Sequence, residues 1–151
     1  MNRRGVTLAE VVIVLAVLAV IAANATFVPV ERRQIVSAAV ELQADIRYVQ
    51  RVALTEGRRT RIIFNIEENY YILQKWEDGA YNTIRKVALG PSVKKLYTNA
   101  SGASVGFTAR GTTGDACTIN ISSDKYTAVL TVNVGAGRVK ITEIIKRPGG
   151  I

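Results

Sequence analysis

A single carboxylate, Glu10, stands where the chain is otherwise suited to lipid. It opens the run Val11–Val30, 20 residues without a charge, and is preceded by Arg3, Arg4 and Gly5. A carboxylate well inside a helical membrane span costs about 2.5–3.5 kcal/mol on insertion scales, and less near the membrane edge. It becomes tolerable when a cation at the same depth pairs with it. The chemistry implied is recognition, not bond breaking. The rest of the chain agrees. It has no histidine and one cysteine, Cys117. A His-based triad is therefore impossible in this chain, a zinc site lacks its ligands, and an internal disulfide lacks its second thiol. Cys117 lies in CTINIS, which alternates as a strand does, so a buried apolar thiol is expected. GRGTTGD and VGAGRV lack the Lys-Ser/Thr and the strand-to-helix setting of a phosphate-binding loop. No catalytic residue, metal ligand or cofactor site is indicated, and the chain does not read as an enzyme.

The elements that place Glu10 come next. A chain of 151 residues holds one domain of ordinary size, and a hydrophobic fraction of 48% fits a globular domain with an apolar segment added. Val11–Val30 is long enough to cross a bilayer as a helix. Arg3 and Arg4 in front of it leave the N-terminus in the cytoplasm and send the remainder outward. Three readings compete. Ala23-Asn24-Ala25 supplies the site of an ordinary signal peptidase, which would leave a secreted β-rich binding module beginning at Thr26. A plain membrane anchor is the second. Neither gives Glu10 a purpose; the third reading makes it functional.

The helical pattern runs on. Ile35, Ala39, Leu42, Ile46, Val49 and Ala53 form one apolar stripe, with Arg32, Arg33, Gln43, Arg47 and Gln50 on the opposite face. Gly57 suits a C-cap. One helix from Val6 to Glu56 would span about 75 Å, with Pro29 bending or locally opening it. After Gly57 the period becomes two. RTRIIFNI and NYYILQKW flank the turn Glu67-Glu68, and Asp78-Gly79 precedes TIRKVAL. VKKLYT, CTINIS, YTAVLTVNV and GRVKITEII complete the strands, with TNASGAS a loop and turns at Ser123-Asp124-Lys125 and Gly135-Ala136-Gly137. This predicts an α+β fold: a long N-terminal helix, transmembrane in its first half and amphipathic in its second, packed on an antiparallel sheet of six to eight strands.

Basic residues, then Gly5, Val6-Thr7-Leu8-Ala9-Glu10 and a long apolar helix resemble the prepilin signal of type IV pilins and pseudopilins. Val6 stands where that family usually has an aromatic, and Ala9 where it has a large aliphatic residue. The resemblance implies cleavage by a prepilin peptidase between Gly5 and Val6 and N-methylation of Val6. It also implies an assembly role for Thr7, Leu8 and Glu10. Glu10, then fifth in the mature chain, would pair with the N-terminal amine of a neighbouring subunit. VGFTARGTTGDACTINIS, with Phe107 and Gly111, and the closing Gly137-Arg138-Val139 hairpin are similar to the GspH/FimT-like minor pilins and pseudopilins. On that basis residues 1–5 are a leader, 6–30 a transmembrane and assembly helix, 31–57 the amphipathic helix, 58–145 a β-rich periplasmic or extracellular domain, and 146–151 a flexible tail. The implied partners are other pilin or pseudopilin subunits, the peptidase, the membrane, and the inner-membrane assembly platform with its ATPase. The implied role is a minor subunit of a type IV pilus or a type II secretion pseudopilus; a major structural pilin is the alternative.

The net charge is +8; without Arg3 and Arg4 it is +6, so the remainder is basic too. Basic residues cluster at Arg58, Arg59 and Arg61, at Lys94 and Lys95, and at Arg138, Lys140, Lys146 and Arg147. Gly137-Arg138-Val139-Lys140 resembles the Gly-Arg-x-Arg stretch of DNA-binding FimT-like proteins, with lysine for the second arginine. Lysine still meets phosphate as a point charge but lacks the bidentate fork. The resemblance thus opens DNA, bound without sequence preference, as a partner through Arg58, Arg59, Arg138, Lys140, Lys146 and Arg147, as in a competence pilus.

Overall fold

The computed structural model describes residues 7–23 and 29–146. The Gly5–Val6 junction, Thr26 and Arg147 lie outside them. The first helix, α1, is Leu8–Ala23, and the second, α2, is Val30–Glu56. Residues 24–28 between them lie outside the described residues, so the expected unbroken helix is described as two. Pro29 precedes the first residue of α2 with φ −51° and ψ 130°. An extended proline starts a helix easily, since the N–H it lacks would have no intrahelical partner there. Its carbonyl accepts the Arg33 N–H at 3.2 Å. Pro29 therefore stands at the start of α2. At 16 residues, α1 is about 24 Å long. Among the described residues no helix is long and apolar enough to cross a membrane.

The α2 stripe is buried as the periodicity requires: Ile35, Ala39, Leu42, Ile46, Val49 and Ala53 have no exposed surface. Gly57 ends the helix in the left-handed conformation, φ +64°, which a glycine adopts without a Cβ penalty. Among the described residues eight strands follow: β1 (Thr60–Asn65), β2 (Tyr70–Glu77), β3 (Ala80–Ala88), β4 (Lys95–Thr98), β5 (Ser104–Phe107), β6 (Cys117–Ser122), β7 (Tyr126–Val132) and β8 (Val139–Lys146). Asp78 and Gly79 both have positive φ, the geometry of the two-residue hairpin loop that their types announce.

The strands form two four-stranded antiparallel sheets, ordered β3-β2-β1-β5 and β4-β6-β7-β8. The sheets and the α2 stripe share one core, which includes Ile62, Phe64, Tyr71, Leu73, Leu96, Ile119, Ile121 and Leu130. Two details depart from the sequence reading. Strand β5 begins at Ser104, the end of the expected loop; its four residues are too few to declare a period. Lys146, expected in the tail, is the last residue of β8 and pairs with Tyr126.

Candidate functional site

The start of α1 is built locally. Thr7 and Glu10 are spaced as a capping box, Thr-x-x-Glu. The Thr7 hydroxyl accepts the Glu10 N–H at 3.3 Å, and the Thr7 carbonyl accepts the N–H groups of Glu10 and Val11 at 3.0 and 3.2 Å. Glu10 stands in the first turn, where the helix dipole favours a negative charge. Its carboxylate makes no ion pair among the described residues. From Leu8 to Ile21, large apolar side chains stand exposed around the whole helix, Leu8 at 84% and Ile13 at 64%. A helix apolar on every side belongs in lipid or inside an assembly.

The cations behave differently from one another. Arg58, just past the end of α2, pairs with Glu77. Nearby, Lys75 reaches Glu56 at 2.9 Å and Glu77 at 3.5 Å; the hydrogen bond to Glu56 raises its pKa. Arg59 is exposed on the edge of β1. Lys146 lies at the other end of the domain. It pairs with Tyr126, and the neighbouring Lys125 N–H reaches Glu31 in the first turn of α2 at 3.2 Å. The length of α2, about 40 Å for 27 residues, thus separates Lys146 from Arg58. These residues do not form one patch.

Arg138 and Lys140 do come together, and with a cation the sequence had assigned only to the helix surface. Arg47 joins them around a groove of about 560 Å³, whose lining also includes Gln50 and Asn133. Among the described residues none of the three cations makes an ion pair. Gln43 and Gln50, expected on the solvent face of α2, instead hold the sheet. Gln43 Nε2 donates to the Val139 carbonyl at 3.1 Å, and Gln50 Nε2 to the carbonyls of Gly111 and Ala136 at 2.8 and 2.7 Å. They flank the apolar stripe, close enough to the β7–β8 turn to bond its backbone.

Gly111 and Gly137 are structural at the same place. Both have positive φ, +69° and +59°. A Cβ on Gly111 would meet Leu54 at 2.6 Å, and one on Gly137 would meet the Phe107 ring at 2.6 Å and the Gln50 amide at 2.9 Å. Glycine here lets two loops close on the end of α2.

Sequence reasoning missed Asp45. It is buried on α2, accepts the Tyr71 hydroxyl at 2.7 Å and pairs with Arg85. Arg85 faces α2 because of a bulge: Gln74 pairs with Thr83 and Leu73 with Arg85, leaving Ile84 unpaired and reversing the alternation. Burial, together with Asp45 holding its proton, drives the Tyr71 hydroxyl far above its usual range. Cys117 is buried, and burial pushes its thiol up to about 11. Among the described residues no cluster of metal-binding side chains occurs.

The chain matches the family model of type II transport protein GspH over residues 38–137 and that of the prokaryotic N-terminal methylation motif over residues 1–23. The first match runs from the ninth residue of α2 to Gly137 and so takes in the glycine-lined closure. Among solved structures, the type IV minor pilin FimU of Pseudomonas aeruginosa strain PAO1 is 22% identical, with a TM-score of 0.63 over 75% of this chain and 91% of that one. The minor pseudopilin EpsH of the Vibrio cholerae type 2 secretion system is 9% identical, with a TM-score of 0.61 over 75% of this chain and 97% of that one. At such identities the likeness establishes the fold alone. No curated protein matches the chain.

Proposed function

Because this chain belongs to the GspH family of minor pilins and pseudopilins, we propose that it is a minor filament subunit, cut by a prepilin peptidase and assembled into a type IV pilus or a type II secretion pseudopilus. The observation that carries this reading is α1: apolar on every side, with Glu10 in its first turn and unpaired among the described residues. In the proposed sequence, residues 6–30 hold the chain in the membrane with its N-terminus in the cytoplasm, and residues 58–145 fold outside. Cleavage after Gly5 frees the amine of Val6, which is then methylated. Leaving lipid, α1 meets the same helix of other subunits, and Glu10 pairs with a neighbour's terminal amine. That ion pair offsets the cost of a lone carboxylate in one register only. Thr7 prepares the arrangement by capping the helix, which satisfies the backbone around Glu10. The remaining partners of such a subunit are the platform protein and its ATPase.

The test is the intact mass of the protein in sheared filaments and in membranes. The reading expects a chain beginning at methylated Val6, in trace amounts in the filament fraction. High abundance there would make it a major pilin. A chain beginning at Thr26 would overturn the reading. Glu10→Gln should be cut normally but lost from filaments.

One observation favours a second reading, DNA as a partner without sequence preference: Arg47, Arg138 and Lys140 converge on one groove without acidic partners among the described residues. Binding of this kind weakens steeply with salt. Arg138→Ala with Lys140→Ala should reduce duplex binding and flatten its salt dependence. Equal affinity at low and high salt would exclude it.

A further inference from the structure

The outward face of the β3-β2-β1-β5 sheet carries side chains that neither reading uses. Its inward face sends Ile62, Phe64, Tyr71, Leu73 and Val105 into the core. Alternation along the strands therefore turns Arg61, Ile63, Tyr70, Ile72, Gln74 and Trp76 outward. The bulge in β3 adds Lys86 to that face, opposite Ile72, and Tyr81 stands opposite Trp76. These residues are organised. The Arg61 guanidinium lies 3.7 Å from the centre of the Tyr81 ring, held there by donating from Nε to Gln74 at 2.8 Å. Tyr81 meets Trp76 edge to face at 4.9 Å, and the Lys86 ammonium sits 3.7 Å from the centre of the Tyr70 ring. Trp76 keeps 41% of its surface exposed. A hollow of about 350 Å³, whose lining includes Ile63, Asn65, Tyr70 and Ile72, lies at the other end of the face. The acids of these hairpins lie in the turns or are already paired. Glu67, Glu68 and Asp78 occupy the turns, Glu67 bordering the hollow, and Glu77 is engaged by Arg58 and Lys75.

We infer that this face binds an acidic polysaccharide, a chain of sugar rings bearing carboxylates. The cations supply charge complementarity, and no carboxylate of β1, β2 or β3 faces them. Trp76, 41% exposed, supplies aromatic surface for the C–H side of a pyranose, while Gln74, Thr83 and Asn65 are placed to meet hydroxyls. Single-stranded nucleic acid fits less well. It binds by stacking successive bases on successive free rings, and here a cation already covers a face of both Tyr70 and Tyr81. The platform is open along the strands. From Tyr70 to Trp76 it extends about 20 Å at the strand rise, room for a chain rather than a single sugar. The inference is independent of filament assembly and uses a different surface from the Arg47–Arg138–Lys140 groove.

Trp76 is the only tryptophan of the chain, so its fluorescence reports directly on this face. The whole processed chain, held in a detergent without a sugar headgroup, would be titrated with polygalacturonate, neutral dextran and single-stranded oligothymidylate. We expect a saturable change in Trp76 fluorescence with polygalacturonate alone, abolished by high salt. Arg61→Gln and Tyr81→Ala should each weaken it about tenfold with an unchanged circular dichroism spectrum, and Arg138→Ala with Lys140→Ala should leave it intact. If Arg61→Gln does not fold, Lys86→Gln, on an exposed edge, takes its place with the same expectation. No response to polygalacturonate, an equal response to dextran, or tighter binding of oligothymidylate would each overturn the inference. So would loss of the response in the Arg138 and Lys140 variant, which would move binding to the other groove.

Discussion

Asp45 is the most informative residue to perturb, because its three-way contact ties α2 to β2 and β3. Removing its carboxylate by Asp45→Ala leaves the Tyr71 hydroxyl without an acceptor in a fully buried site. An unsatisfied buried donor costs about 1–3 kcal/mol. The Arg85 pair adds little, since half of that side chain is exposed and exposed pairs contribute about 0–1 kcal/mol. Asp45→Ala should therefore cost about 2–3 kcal/mol. Tyr71→Phe removes one hydrogen bond but leaves Asp45 its arginine, and should cost about 1–1.5 kcal/mol. In the double variant neither partner is left waiting for the other. Its cost should fall short of the sum by about 1–2 kcal/mol, as expected for residues in contact. The assay is urea unfolding followed by Trp76 fluorescence, with melting as a check at about 2–4 °C per kcal/mol for a chain of this size. Additivity within about 0.5 kcal/mol would refute the reasoning: the hydrogen bond would then carry no coupling, and Asp45 would matter through packing alone.

Other outcomes follow from the same geometry. Gly137→Ala should cost about 2–3 kcal/mol, from positive φ and contact with the Phe107 ring; Gly79→Ala, with positive φ but open space around it, should cost about 1 kcal/mol. Equal costs in urea unfolding would show that the close approach is relieved without penalty. The hydrogen bond from Ser123 holds the Glu31 carboxyl below its usual range, with Lys125 contributing. A depressed folded-state pKa stabilises above the unfolded value and is lost as pH falls through the folded one. The stability difference between the parent and Glu31→Gln should accordingly be present at neutral pH and fade below about pH 4.5; a difference that grows with acid would reverse the assignment. Cys117, buried with its thiol pushed up to about 11, should resist alkylation at pH 8 until urea unfolds the domain. Rapid labelling of the folded protein would contradict its burial.

Several features could be read along the chain because their causes are local. The Ile35-to-Ala53 stripe follows from the helical period, which every solvent-averse face must obey. Gly57 and Asp78-Gly79 announce conformations that few other residues adopt cheaply. The position of Glu10 near the start of the helix and the all-apolar surface of α1 are likewise properties of adjacent residues, as is the capping by Thr7, which the sequence reading did not name. What tertiary structure alone decided depends on partners far away in sequence. Thr60 pairs with Lys75 on one side and with Phe107 on the other, so the four residues of β5 became a strand only because the free edge of β1 was there to receive them. The division into two sheets has the same origin. A bulge at Ile84, invisible in an alternation of so few residues, turned Arg85 inward to Asp45 and Lys86 outward to Tyr70. Gln50 looked like a surface residue of α2 until the β7–β8 turn arrived over it. Arg47, Arg138 and Lys140 became one groove for the same reason. Periodicity records which face of an element is buried; only the packing of one element on another decides what each side chain meets there.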